Sequence, residues 1–199
     1  MKNNILLDGK KFDFNESFLP CLVTYKEKTG GSHFTITMVK DLFLSGSKIL
    51  FLTAYPMAKE NFLEQIGEDH SKIAFVNSVS DLENAKNSQV IILESGNEQL
   101  FLDIAKEISD LEERVILVKN IEIFSEKVFD ICLNLKKVIL SGHLDECVDK
   151  ERISKKEYET IIAFSNTEIS LPISIPELEK YNGYLQASNY RGIVKIEKD

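Results

Sequence analysis

Short apolar runs alternate along this chain with segments whose apolar positions recur every three to four residues. Phe18–Tyr25 reads as a buried strand, and Lys26–Ser32 follows as a loop. Ile36, Met38, Val39, Leu42 and Phe43 then give one apolar face over a helix from His33 to Leu44, which the Ser-Gly-Ser of 45–47 stops. "KILFLTAYP" (48–56) is apolar on both sides of the pleat, as a central parallel strand covered on both faces would be. Met57–Ile66 is a helix, "KIAFVN" (72–77) a strand, 78–88 a polar connection and "QVIILES" (89–95) another strand. Asn97–Leu111 carries Leu100, Phe101, Ile104, Ala105 and Ile108 on one side, the stripe of an amphipathic helix. Strand 114–120, helix 125–134, strand 136–144, the charged surface stretch "CVDKERISKKEY" and strand 159–166 complete the alternation. Pro172 and Pro176 punctuate a loop, and 183–198 reads as a hairpin turning at Asn-Tyr-Arg-Gly.

Strands alternating with helices predict βαβ units. The expected fold is α/β: three layers around a mostly parallel sheet, with an antiparallel hairpin at the C-terminus. No composition break divides residues 18–199, so they form one domain, and residues 1–17 are expected to be a polar, peripheral segment.

Composition changes this picture little. Of 199 residues 43% are apolar and 28% charged, ordinary for a globular domain. The net charge of −8 argues against a broad polyanion-binding surface, because Lys and Arg supply most nucleic-acid affinity. No apolar run reaches the ~20 residues of a membrane helix, and the first residues lack the core of a secretory signal. Cys21, Cys132 and Cys147 have no paired spacing, which predicts buried reduced thiols in a cytoplasmic or nuclear protein. The Asn15 glycosylation pattern carries little weight without a secretion signal.

The candidate chemistry lies in "YKEKTGGSHFT", residues 25–35, between an apolar strand and a helix. A phosphate-binding loop reads G-x-x-x-x-G-K-[ST]; its backbone N–H groups wrap the phosphates, its lysine neutralises charge and its hydroxyl meets Mg²⁺. One register puts Glu27 and Ser32 at the two glycines, His33 at the lysine and Phe34 at the hydroxyl. A shift by one puts Gly31 at the second glycine, Ser32 at the lysine and His33 at the hydroxyl. Neither supplies the chemistry, although Lys28 lies close enough to swing toward an anion. Read plainly, Thr29-Gly30-Gly31-Ser32 is a strand-to-helix turn with Ser32 or Thr29 as cap.

Segment order adds a resemblance. "VIILESGNEQLFLDIAKEI…ERVILVKNIEIF…KKVILSGHLDE" and "LVTYKEKTGGSHFTITMVKDLFLSGSKILFLTAYP" resemble the RecA/KaiC superfamily of P-loop ATPases, over most of residues 18–198. The resemblance implies a metal-coordinating aspartate after Val115-Ile116-Leu117-Val118, where this chain has Lys119. Glu94, after another apolar strand, is an alternative acid that the chain order disfavours. The resemblance also implies a polar sensor at the next strand end, where His143 stands.

"KTGGSHFTITMVKDLFL" followed by "SKILFLTA" resembles the sixth-subunit type of the RecA-like accessory subunits of Elongator, with Lys28, Thr29, Gly31 and Ser32 matching. That resemblance implies a non-catalytic, pseudo-ATPase subunit of a RecA-like hetero-oligomeric ring that supports tRNA wobble-uridine modification and binds tRNA, without cofactor or metal. A recombinase paralogue acting as a DNA-repair scaffold, and a divergent ATP-binding enzyme using Lys28 and Glu94, are the alternatives.

Elsewhere the chemistry is sparse. His143, Asp145 and Cys147 spell a short polar motif without the partners a metal site needs. His33 and His70 read as surface or cap residues, and Asp103, Glu107, Asp110, Glu112 and Glu113 as a solvated acidic helix end. Lys26, Lys28, Arg191 and Lys195, with Tyr181, Tyr184 and Tyr190 near them in sequence, form a candidate anion or RNA contact, or a partner interface.

Overall fold

The computed structural model describes residues 3–67, 70–93, 97–165, 171 and 173–198. Among these, eleven strands form one sheet. In chain order the elements are β1 (Asn3–Leu7), β2 (Lys10–Phe12), β3 (Cys21–Thr24), α1 (Gly31–Leu44), β4 (Ile49–Thr53), α2 (Pro56–Ile66), β5 (Ile73–Val76), α3 (Leu82–Ala85) and β6 (Val90–Leu93). Then come α4 (Glu98–Glu107), β7 (Val115–Lys119), α5 (Glu126–Cys132), β8 (Val138–Gly142), α6 (Lys150–Lys155), β9 (Thr160–Ala163), β10 (Gly183–Ala187) and β11 (Arg191–Lys198).

The sheet order is β2-β1-β11-β10-β9-β3-β8-β7-β4-β6-β5. From β9 to β5 every neighbouring pair is parallel, and from β9 outward to β2 every pair is antiparallel. The mostly parallel α/β sheet with an antiparallel C-terminal hairpin is therefore present.

Side chains alternate between two cores, as the two-residue period of a strand requires. Cys21, Val23, Ile49, Phe51, Val115 and Leu117 pack with Phe34, Met38 and Phe62 of α1 and α2. Leu22, Leu50, Leu52, Ile116 and Val118 pack on the other face with Leu100, Phe101 and Ile104 of α4 and Val128 and Phe129 of α5. These are three layers, helix–sheet–helix, with the central strands buried throughout.

Helix ends follow local chemistry. Gly46 (φ +90°) follows α1, Pro56 is the first residue of α2, and Gly67 (φ +77°) caps its C-terminus. The Asn97 side chain accepts from Leu100 N–H at 3.1 Å at the start of α4.

Three expectations are corrected. Of the segment 1–17, the described residues 3–17 do not stay peripheral: β1 pairs along β11, β2 pairs with β1, and Ile5 and Phe14 are buried. Burial of Asn3 with a polar network on α1 holds this segment, since Lys40 Nζ donates to Asn3 O and pairs with Asp41 at 3.1 Å. The polar connection at 78–88 contains α3, which buries Leu82 and Ala85. The charged stretch after β8 contains α6, whose Ile153 enters the second core with Cys147.

Candidate functional site

In a parallel sheet ligands sit beyond the carboxyl ends of the strands. Here a cavity of about 910 Å³ opens at that end of β3, β4, β7 and β8. Its lining includes Tyr25, Lys26, Lys28, Gly30 and Ser32 from the loop, Tyr55 and Met57 after β4, Asn120 and Glu122 after β7, and His143 after β8.

The loop is ordered by its backbone. Tyr25 N–H donates to Gly142 O at 3.1 Å, which ties the end of β3 to the end of β8. Thr29 Oγ1 donates to Lys26 O at 2.7 Å. Lys28 (φ +63°) and Gly30 (φ +96°) both take left-handed conformations, and α1 starts at Gly31. Phe34 N–H then donates to Gly30 O at 3.0 Å, the first helical bond.

With α1 starting at Gly31, a third register can be written in which Tyr25 and Gly30 align with the two glycines of the loop pattern, Gly31 with its lysine and Ser32 with its hydroxyl. The signal was available: counting back five residues from Gly30 reaches the first residue after the strand. It was hidden because a tyrosine stands there. In this register a hydroxyl is retained and the lysine is still missing.

Gly31 is forced by Tyr25. A Cβ at position 31 would meet Tyr25 Cβ and stand 2.5 Å from its Cγ and Cδ1. Tyr25 is 4% exposed, and its hydroxyl is buried within reach of the Ser141 and Ser32 hydroxyls. Burial pushes that hydroxyl up to about 12; the Ser141 and Ser32 hydroxyls beside it offset part of the rise, and Glu122 adds to it. The ring meets His143 edge-on, with centroids 5.7 Å apart.

Lys119 closes β7 and is 4% exposed. Its ammonium donates to Asn120 Oδ1 at 3.4 Å. Burial lowers its pKa from 10.5 to about 8, against a raising contribution from Glu122. Glu122 lies in the turn after β7 and is the carboxylate that sequence reading missed. Its Oε2 accepts from His143 N–H at 2.9 Å and its Oε1 from Asn120 Nδ2 at 3.3 Å. Gly142 (φ +155°) makes room for it, since a Cβ there would strike Glu122 Oε2 and stand 2.7 Å from Ile121 N.

The remaining candidates separate. Glu94 lies outside the described residues; β6, which precedes it, is four strands from β3, about 19 Å at ~4.8 Å per strand. His33 faces away from the loop chemistry, its Nε2 against Asn3 Nδ2. Lys26 and Lys28 line the cavity, whereas Arg191 and Lys195 lie on β11, three strands from β3 and about 14 Å away. Arg191 pairs with Gln186, which is level with Ile161 and Leu22 rather than with the loop. The four cations therefore do not form one surface.

Of the three tyrosines, Tyr181 alone reaches the loop. It lines a second cavity of about 460 Å³ with Gly30, His33, Phe164 and Ile196. Tyr190 instead packs near Phe12 and Phe18. The three cysteines are buried and unpaired. No group of three or more metal-ligating side chains occurs among the described residues, and none of their helices is long and apolar enough to cross a membrane.

No protein-family model and no curated protein matches the chain. Solved structures do resemble it. The genome packaging NTPase B204 from Sulfolobus turreted icosahedral virus 2, determined in complex with AMPPCP, aligns with TM-score 0.55 and 16% identity, over 92% of this chain and 98% of that one. The cytoplasmic domain of EssC aligns with TM-score 0.50 and 10% identity, over 89% of this chain and 38% of that one. The chain thus shares the fold of P-loop NTPases.

Proposed function

We propose that this chain is a non-catalytic subunit with a P-loop NTPase-like fold, a pseudo-ATPase held in a multi-protein assembly through its loop end. The observation that carries the reading is Lys119, a buried lysine closing the strand where the resemblance expects the metal's aspartate. A unit positive charge ~4 Å from a divalent cation costs on the order of 8 kcal/mol at an effective dielectric of ~20. Phosphoryl transfer relies on the loop lysine and the metal for almost all its electrostatic stabilisation, and Gly31 leaves the first of these positions without a side chain.

The rim of the site supports the assembly role. Tyr55, Met57, Ile123 and Tyr181, each between 45% and 69% exposed, stand around the two cavities beside the loop. Aromatic residues and methionine are enriched at protein interfaces, and clustered exposed apolar groups mark them.

The finer form of the proposal is an Elongator-type accessory subunit. It would sit beside RecA-like partner subunits in a hetero-oligomer and support wobble-uridine modification of tRNA in the cytoplasm, with the nucleus as a second compartment. Its support is the resemblance at Lys28, Thr29, Gly31 and Ser32.

Native mass spectrometry of complexes isolated from source cells tests both levels. The expected result is a hetero-oligomer of related folds that copurifies with tRNA-modification proteins. Copurification with recombination proteins replaces the finer form by a recombinase paralogue. Magnesium-dependent ATP turnover by the purified chain replaces the whole reading by an enzyme using Lys28 and Glu94.

A further inference from the structure

The chain leaving β7 carries two opposite charges on either side of one strained residue. Lys119 ends the strand, Asn120 takes a left-handed conformation (φ +68°), and Glu122 follows in the turn. A non-glycine residue stays in that conformation only where its surroundings hold it. Here Asn120 N–H donates to Ser141 O at 2.7 Å, which fixes the turn to β8.

Polar bonds then run in series from the strand to the cavity wall. Lys119 Nζ donates to Asn120 Oδ1 at 3.4 Å, Asn120 Nδ2 to Glu122 Oε1 at 3.3 Å, and His143 N–H to Glu122 Oε2 at 2.9 Å. Two of the three are longer than an ordinary N–H···O bond, so attraction between ammonium and carboxylate supplies part of the hold. Asn120, Glu122, Ile123 and His143 all line the larger cavity.

The neighbours of Lys119 isolate that attraction. Lys119 lies level with Thr53 of β4 and Ser141 of β8, and α1 presents Thr35, bonded to Ser141 at 2.7 Å. None of these side chains is charged. Tyr25, at the end of β3, stays protonated, its hydroxyl pushed up to about 12 by burial. Lys26, Glu27 and Lys28 of the loop, Tyr55 after β4, and His143 and Glu146 after β8 also line the cavity. Among the described residues, Glu122 is the charge that acts on the ammonium. Burial brings the lysine down to about 8 against that pull, so its charge is present at pH 7 and lost in mildly alkaline solution.

We infer that Lys119 and Glu122 form a proton-operated latch on the cavity wall: with the ammonium charged, Glu122 is drawn against the ends of β7 and β8 and pins the backbone at His143, and with the amine neutral it lets go. The latch goes beyond the non-catalytic reading and does not need it. Its consequence for docking does rest on that reading: the wall beside Ile123 keeps one shape below the transition and loses it above. Tested on the chain alone, the latch stands or falls separately from the assembly.

Hydrogen exchange and ¹³C-lysine NMR test it from about pH 6.5 to about pH 9.5, the span across which the buried lysine titrates. Corrected for the intrinsic pH dependence of exchange, protection of the His143 amide falls as Lys119 loses its proton. The expected fall is about tenfold to a hundredfold, the worth of a hydrogen bond to a charged acceptor. In Lys119→Met that amide exchanges at the unlatched rate throughout. In Glu122→Gln the lysine's midpoint moves down, because the charge that raises it is gone. In His143→Gln the wild-type transition stays, since the backbone N–H remains.

Protection that holds through the lysine's titration overturns the latch. So does a fall that persists in Lys119→Met or disappears in His143→Gln. A lysine midpoint unmoved in Glu122→Gln overturns the pair. Should a variant fail to fold, the two wild-type midpoints decide: coincidence supports the latch, and separation overturns it.

Discussion

Lys119→Met isolates the cost of holding a cation inside the sheet. Burial lowers the lysine from 10.5 to about 8, a change that at ~1.4 kcal/mol per unit amounts to ~3 kcal/mol. The sign follows from proton counting. Below pH ~8 both folded and unfolded chains hold the proton, and the folded state bears the full cost. Between about 8 and 10.5 the folded lysine has lost its proton while the unfolded one keeps it. The unfolded state then binds more protons, so stability rises with pH across this window. Methionine matches the length of the apolar stem and gives up the 3.4 Å contact to Asn120 Oδ1 and the attraction to Glu122. Urea unfolding at pH 7 should show Lys119→Met more stable than wild type by up to ~3 kcal/mol. The gap should close as the pH approaches 10.5. A destabilised variant at pH 7, or a gap that does not change with pH, refutes the reasoning.

Two further substitutions probe the packing. Arg114 is fully buried and donates to Asp110 Oδ1 (2.8 Å), Lys86 O (2.7 Å) and Ser88 O (3.1 Å). Arg114→Ala should therefore cost on the order of 3–5 kcal/mol in denaturant unfolding. Burial alone would raise Asp110, but hydrogen bonds from Arg114 and Lys48 overcome it and lower its pKa. The stability Asp110 contributes is present above its unfolded value and is lost as pH falls through the folded one, so the acid limb of the stability profile should flatten in Arg114→Ala. Phe62 is buried, edge-on to Phe43 at 6.1 Å and to Phe51 at 6.3 Å; Phe62→Ala should cost about 3–5 kcal/mol in the same assay.

The fold was legible where apolar periodicity alone decides. Runs such as Val115–Val118 are apolar at every position because both faces of β7 are covered, and no loop chemistry imitates that. The N-terminal strand was not legible. Only Ile5, Leu6 and Leu7 are apolar there, and what holds the segment is long-range: pairing with β11 and the Lys40 bond to Asn3. Strand order was equally hidden, since β5 and β6 follow β4 in the chain yet lie outside it, away from β7. At the site, the glycines announced a turn, but the register depended on where α1 begins. Glu122 gave no sequence signal at all; its role comes from the turn after β7, which brings it beneath His143.

Calorimetry of the wild-type chain with ATP and Mg²⁺, run alongside a phosphate-release assay, tests the central claim most directly. The account predicts no magnesium-dependent binding heat and no phosphate release above buffer. Saturable, metal-dependent ATP binding with turnover would contradict it.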